Sequence, residues 1–429
     1  MNKKNKLIIG IAGILAIVAV IGIGLVLYNS TMRKKYANEF AFSSGDSAFL
    51  VSDVGMYYFK NNNLMYLDSA SQIQLPLCNQ PECEHNTREC KAVFEGDFYG
   101  TMLEYGDYIY FHAFGSYQEY DEINDKTDFS TNDKLYRCKK DGSEQKEIYT
   151  TNAGCITSMM AHNGYIYFTA YTRRDASKID DYMHDVHLYC YDPVWGKLTL
   201  VESIEGNDDR YSASLDFIKT DNPVNSYLIL TYEIKGKSEN VFTEYYKFDI
   251  EKLSVTKENW EMDAEQLHLC WPYTDKLYFQ DGKLFVLGAD DEDTRYYSVI
   301  NENGEIEHIL DIGPGVYAYD KGDYLIFGKG DYHKVLYDKQ TNEMYFSKCL
   351  LGKSDAIVPS LICAIKDENI CYFDATDYTD IPEGTVLTED PTSHSCMQWD
   401  AYLDTFYEQH NGGNMPSMVA DSFDVKIYD

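Results

Sequence analysis

The chain has 429 residues, with 70 Asp and Glu against 37 Lys and Arg, for a formal net charge of −33. This acidity argues against a nucleic-acid partner, because phosphate contacts need clustered basic side chains and the body would be repelled. It argues equally against lying flat on an anionic lipid surface, and it suits cationic partners and divalent cations.

The first predicted element is a membrane anchor. Leu7 to Tyr28 is an apolar run of 22 residues without a charge. As a helix it would extend about 33 Å, enough to span a hydrocarbon core of about 30 Å. Lys3, Lys4 and Lys6 precede it, and Arg33, Lys34 and Lys35 follow it. The run is longer than a signal-peptide core and lacks a small-residue cleavage pattern. The expectation is an uncleaved single-pass anchor within 1–35, with residues 36–429 outside the cell. Basic flanks balance one another, so orientation rests on the short cytoplasmic end typical of an extreme N-terminal anchor.

Beyond the anchor, tyrosine organises the chain. Apolar, aromatic runs recur, each entered through a polar turn: "VGMYYFK" at 54–60, "YGDYIYFHA" at 105–113, "HNGYIYFTA" at 162–170 and "VNSYLILTY" at 224–232. "QDGKLFVLG" at 280–288, "KGDYLIFGK" at 321–329 and "KDENICYFD" at 367–374 continue the series. Gly, Asn and Asp supply the turns; β-branched and aromatic residues supply the strands. A second strand signal follows in six of them, from "NLMYLD" at 63–68 to "KVLYDKQTN" at 334–342. The runs start at Met56, Tyr108, Tyr165, Tyr227, Lys283, Tyr324 and Ile370, at intervals of 41 to 62 residues. Four-stranded propeller blades recur at roughly 40–50 residues. The expected fold is therefore all-β: about seven blades of a β-propeller behind one N-terminal transmembrane helix. A β-solenoid fits less well, since its rungs are shorter.

Between the first two repeats lies "LCNQPECEHNTREC", which brings Cys78, Cys83, His85 and Cys90 within fourteen residues. These form a Cys3His set suited to tetrahedral zinc. A closed four-ligand site would be structural and would leave no position for catalytic water. A disulfide within the segment, or unlinked thiols, are the alternatives: extracytoplasmic cysteines tend to pair, but the total of eleven is odd. Cys138, Cys190 and Cys371 sit inside strand signals and read as small buried hydrophobes.

At "LYRCKKDGSEQKEI", 135–148, the strand–turn–strand is similar to the "IYR-x-x-x-DGS" repeats of low-density-lipoprotein-receptor-type and TolB-like propellers. Over roughly 45–375 the repeat pattern resembles bacterial membrane-anchored proteins carrying a propeller domain of unknown function. The L-C-x-x-P-x-C-x-H-x4-C segment looks like a first-blade feature of that family. The resemblance implies the fold and the compartment, and it supplies no catalytic residues.

Further along, "DDYMHDVH" at 180–187 offers Asp180, Asp181, His184, Asp185 and His187 as metal-ligating types, against a solvated loop as the simpler reading. "GADDEDTR" at 288–295 fails the calcium-loop pattern and reads as a hairpin turn. "SHSC" at 393–396 is a loose His/Cys pair. "WDAYLDTFYEQH" at 399–410 has helical spacing of Trp399, Leu403, Phe406 and Tyr407, in a stretch, 375–417, expected to be an insertion or cap. The terminal "SFDVKIYD" is expected to pair near "SAFLVSD" at 47–53. No nucleophile-elbow, zinc-protease, P-loop or dinucleotide motif occurs. The function read from this is a binding or scaffold module of the cell envelope. Its rim loops at 114–133, 171–186 and 233–243 would meet a protein, peptide or glycan. The alternative is a hydrolase or lyase acting on envelope glycans.

Overall fold

The computed structural model describes most of 40–258, the strands between 277 and 347, and, as backbone, five short strands beyond 361. Ahead of these it describes only Val18, Val20, Gly22 and Gly24, which are helical. Among the described residues no helix is long and apolar enough to cross a membrane. The anchor expected at 7–28 falls almost wholly outside them.

The body is all-β. After β1 (Phe40–Phe42) the described strands form seven antiparallel meanders in five sheets, the second joined to the third and the fourth to the fifth by short parallel pairs. The first is β2 (Phe49–Ser52), β3 (Gly55–Lys60), β4 (Asn63–Asp68) and β5 (Gln74–Pro76). The second is β6 (Phe98–Tyr105), β7 (Tyr108–Asp121), β8 (Lys126–Lys139) and β9 (Lys146–Thr150). The third is β10 (Gly154–His162), β11 (Tyr165–Arg173), β12 (His184–Asp192) and β13 (Lys197–Ile204). The fourth is β14 (Tyr211–Thr220), β15 (Ser226–Ile234), β16 (Lys237–Asp249) and β17 (Ser254–Glu258). The fifth is β18 (Leu277–Gln280), β19 (Lys283–Ala289), β20 (Thr294–Ile300) and β21 (Ile306–Pro314). The sixth is β22 (Tyr317–Lys321), β23 (Tyr324–Lys329), β24 (His333–Asp338) and β25 (Glu343–Ser347). The seventh is β26 (Leu361–Lys366), β27 (Asn369–Asp374) and β28 (Ser393–Gln398).

Every tyrosine-rich run is the second strand of a meander, and its unbroken apolar character has a direct cause. Successive side chains of a strand point to opposite faces. Ile109 and Phe111 bury against the first meander, while Tyr110 between them buries against the third. Ile166 and Phe168 turn back to the second meander, Tyr167 forward to the fourth. Leu228 and Leu230 face the third, Ile229 the fifth. A sheet covered on both faces needs apolar residues at every position rather than at alternate ones. On the first meander's other face Val51, Met56, Tyr58 and Leu67 are buried. There β2 lies against β26 and β27, β3 against β27, and β4 against β28.

Sheet edges are covered by chain from elsewhere. β1 pairs with the first strand of the third meander, Phe40 opposite His162 and Phe42 opposite Met160. β29 (Phe406–Gln409) adds to β25, and β30 (Lys426–Ile427) adds to β21. Two expectations are corrected here. The helix at 399–410 is, over its described part, the strand β29: helical spacing yields to aromatic residues meeting an open strand edge, where Tyr407 pairs with Phe346. The terminal strand pairs with Leu310 and Asp311 of the fifth meander, not with the first body strand, because β21 offers an unpaired outer edge. Within 375–417 the described residues are β28, the third strand of the seventh meander, and β29, which adds to the sixth.

The fourth meander carries a dense ionic network. Glu244, nearly buried, accepts hydrogen bonds from Arg210 at 3.1 and 3.2 Å, Tyr246 at 2.6 Å and Tyr232 at 3.4 Å, with Lys257 at 3.0 Å. Burial alone would raise its pKa, but the bonds from Tyr246, Lys257 and Arg210 outweigh it and hold the carboxyl below its usual range. A depressed carboxylate contributes stability that is fully present above its unfolded value, about 4.3, and is lost as pH falls through the folded value. Glu244→Gln is therefore expected to lower stability at pH 7 and to flatten its decline below pH 4.5. Circular dichroism melts across pH 3–7 would check this, and parallel wild-type and variant curves would contradict it.

Candidate metal centre

The Cys/His segment is a loop whose two ends are pinned to one strand. Leaving β5, Leu77 N–H donates to Leu64 O at 2.7 Å; returning, Leu64 N–H donates to Ala92 O at 2.8 Å. Asn63 bridges Val93, and the Phe94 amide donates to Asn62 O. Both flanking side chains, Leu77 and Phe94, are buried in the core shared by the first two meanders. Phe94 meets Phe111 edge-on at 4.7 Å and Tyr136 at 5.5 Å. The "DGS" turn of the second meander closes from the other side. Asp141 Oδ1 accepts from the Ser143 amide at 2.9 Å and hydroxyl at 2.6 Å. Gly142 has φ of 77°, and a Cβ there would collide with the Leu77 carbonyl oxygen. Only glycine meets both demands.

Between these pins the chain turns tightly. The Cys83 amide donates to Gln80 O at 3.2 Å across Pro81, and His85 adopts a left-handed φ of 57°. The result brings all four predicted ligands together: Cys78, Cys83 and Cys90 Sγ and a His85 ring nitrogen lie within 4.8 Å of one another. His85 Nδ1 is 3.3 Å from Cys90 Sγ. Around zinc, bonds of about 2.3 Å to sulfur and 2.0–2.1 Å to nitrogen would set ligand atoms roughly 3.5–3.8 Å apart. The donor set and spacing fit that ion with shifts of an ångström or less. None of the three cysteines is in a disulfide.

The thiols differ in environment. Burial pushes Cys90 up to about 11, against the Ala92 amide that donates to its sulfur at 3.3 Å. Burial also acts on Cys78, but bonds from the Gln80 and Lys91 amides and the neighbouring thiols outweigh it and lower its pKa. The other sequence candidates are not assembled. His184 stacks on Tyr171 at 4.2 Å and bonds Ala213 O; Asp185 accepts from the Gly206 amide and pairs with Arg174. His187 sits between Thr172 and Ser203 hydroxyls, each at 3.0 Å. Asp180 and Asp181 lie outside the described residues. His394 and Cys396 fall on β28, described as backbone. Cys138 and Cys190 are buried in the cores, as their strand positions imply.

A second cluster escaped the sequence. His112 on β7, Asp133 on β8 and Cys155 on β10 each offer a ligand atom within 4.8 Å of the others. Twenty-one and twenty-two residues separate them, with no motif between. The register that sets Phe114 opposite Asp133, and so Asp133 diagonal to His112, was the only available signal.

No family model matches the chain, and no curated protein is similar to it. Solved structures similar to it include an oligogalacturonate lyase from Vibrio parahaemolyticus, at 13% identity over 71% of this chain and 74% of that one, TM-score 0.39. A puromycin-hydrolyzing peptidase of Mycobacterium tuberculosis is similar at 12% identity over 70% of this chain, TM-score 0.40. A prolyl endopeptidase is similar at 11% identity over 95% of this chain, TM-score 0.45. The chain spans 44% of the puromycin-hydrolyzing peptidase and 54% of the prolyl endopeptidase. At these identities and TM-scores the likenesses decide nothing about activity.

Proposed function

We propose that the chain is a membrane-anchored, extracytoplasmic seven-bladed β-propeller that acts as a binding or scaffold module of the cell envelope. Cys78, Cys83, His85 and Cys90 hold a structural Zn2+ that staples its first two blades. The observation that carries this reading is the two-sided burial of successive second strands, with the seventh meander lying on the first. Sheets that pack on both neighbours and return to their start form a ring. Val18 and Val20, helical and exposed within the apolar N-terminal run, suit an anchor. A closed four-ligand set serves stability, not chemistry.

The three rim segments all join second to third strands, so in a ring they open on one face. One of them is a long hairpin: β7 and β8 stay paired from Phe114 opposite Asp133 to Asp121 opposite Lys126. Seven residues at about 3.4 Å each carry its tip roughly 24 Å past that point. Such a projecting edge on a rigid base suits recognition of a protein, peptide or glycan. Replacing 116–131 with an Asn-Gly turn is expected to keep the melting curve and abolish co-purification of the partner cross-linked in intact membranes. A partner captured equally well by the shortened protein would sink the reading.

A second reading, a hydrolase or lyase on the same scaffold, is favoured by the His112, Asp133 and Cys155 cluster at the base of that hairpin. It requires release of new reducing ends from isolated envelope glycans by the full-length protein, and loss of that release in Cys155→Ala.

A further inference from the structure

The Asp133 side chain is fully buried. Its Oδ2 is crowded: it meets His112 Nδ1 at 2.6 Å, accepts the Ile156 amide at 2.8 Å and takes the Cys155 thiol at 3.3 Å. Its Oδ1 is equally buried and has no hydrogen-bond partner. A buried acceptor without a partner is costly, and more so on a carboxylate. The surroundings hold it in place regardless. The Asp133 amide donates to Thr151 Oγ1 at 2.8 Å, Thr151 Oγ1 donates to Gly154 O at 2.8 Å, and the Thr151 amide donates to Asp133 O at 2.8 Å. His112 is fixed too: a Cβ on Gly100 would collide with its Nε2.

Three strands of two adjacent meanders thus converge an imidazole nitrogen, a carboxylate oxygen and a thiol, each ligand atom within 4.8 Å of the others. Mixed nitrogen, oxygen and sulfur donors suit a borderline divalent transition ion of the zinc class. We propose that His112, Asp133 and Cys155 form a second, three-ligand metal site, separate from the Cys3His centre and open at one coordination position. An ion here would be ligated through Asp133 Oδ2, the oxygen that faces both His112 Nδ1 and Cys155 Sγ, and would replace its hydrogen bond to His112. Binding deprotonates the Cys155 thiol, whose proton passes to solvent, and takes His112 as the neutral imidazole. Cys155 is partly exposed, so the ion has a way in. Three ligands leave a position for water, which four ligands at the Cys3His centre do not.

The test uses the full chain in detergent, dialysed against Zn2+ and measured for bound metal. Wild type is expected to hold two ions per chain, Cys155→Ala one, and Cys83→Ser the other one. Without any substitution, Zn2+ is expected to slow alkylation of Cys155 at least tenfold, read on its peptide by mass spectrometry. Should Cys155→Ala hold as many ions as wild type, or Cys155 alkylate equally fast with and without Zn2+, Asp133 is a structural hub and the site is refuted. Loss of metal in Cys83→Ser alone bears on the other centre and leaves these two readouts to decide this one.

Discussion

Cys90→Ser protein is expected to lose one equivalent of zinc and to melt roughly 3–4 °C below wild type. Cys90 is the buried member of its set, 2% exposed, and its sulfur contacts both His85 and the Ala92 amide. The residues that follow it, Ala92 to Phe94, carry the return strand onto β4 and the Phe94 ring into the shared core. In the proposed zinc centre, losing the metal would therefore loosen more than a loop: it would free the segment that seals the first meander against the second. Structural zinc contributes folding free energy directly, because the unfolded chain has no preformed site. A cost on the order of 3 kcal/mol is expected after partial relaxation. Treatment of wild type with a chelator should reproduce the shift, while chelation of Cys90→Ser should produce little further change from this centre. Metal analysis with calorimetric scans checks both. A variant that keeps its zinc, or melts with wild type, would overturn the centre.

Phe111→Ala is expected to cost about 3–5 kcal/mol. The ring is fully buried and touches three others: Phe94 at 4.7 Å, Phe59 at 5.1 Å and Tyr136 at 5.8 Å. Phe59 comes from the first meander, Tyr136 from the second, and Phe94 from the return arm of the metal loop. Three independent backbones cannot all move inward to fill the space, so most of the cavity remains. Phe111→Leu should recover more than half of the loss. Because the cavity adjoins the loop, Phe111→Ala should also release zinc faster to a chromophoric chelator. Urea melts and release kinetics measure the two effects; normal stability would mean the interface collapses freely, contrary to its packing.

Much of this was legible in the sequence because it was written locally. The seven tyrosine runs gave seven second strands, and "NLMYLD" and its successors gave the strands after them. Their turns are local chemistry too: Asp141 and Ser143 bond within three residues of one another. The four candidate ligands Cys78, Cys83, His85 and Cys90 lie within thirteen residues, so their meeting could be anticipated from types and spacing. Helical spacing at 399–410 misled, because a free edge on β25 decides the outcome there and nothing in residues 399–410 announces it. The pairing of β1 with β10, across more than a hundred residues, was equally invisible.

By itself the sequence determined the all-β body, the place of its tyrosine-rich strands, its acidity and the close spacing of Cys78, Cys83, His85 and Cys90. Each follows from neighbours along the chain: strand period, turn residues, close spacing. Tertiary structure alone decided which meander covers which face, where the terminal strands attach, and that His112, Asp133 and Cys155 meet. Those depend on register and on the packing of one sheet against the next. A shift of one residue in that register would turn Asp133 to the opposite face and dissolve the cluster.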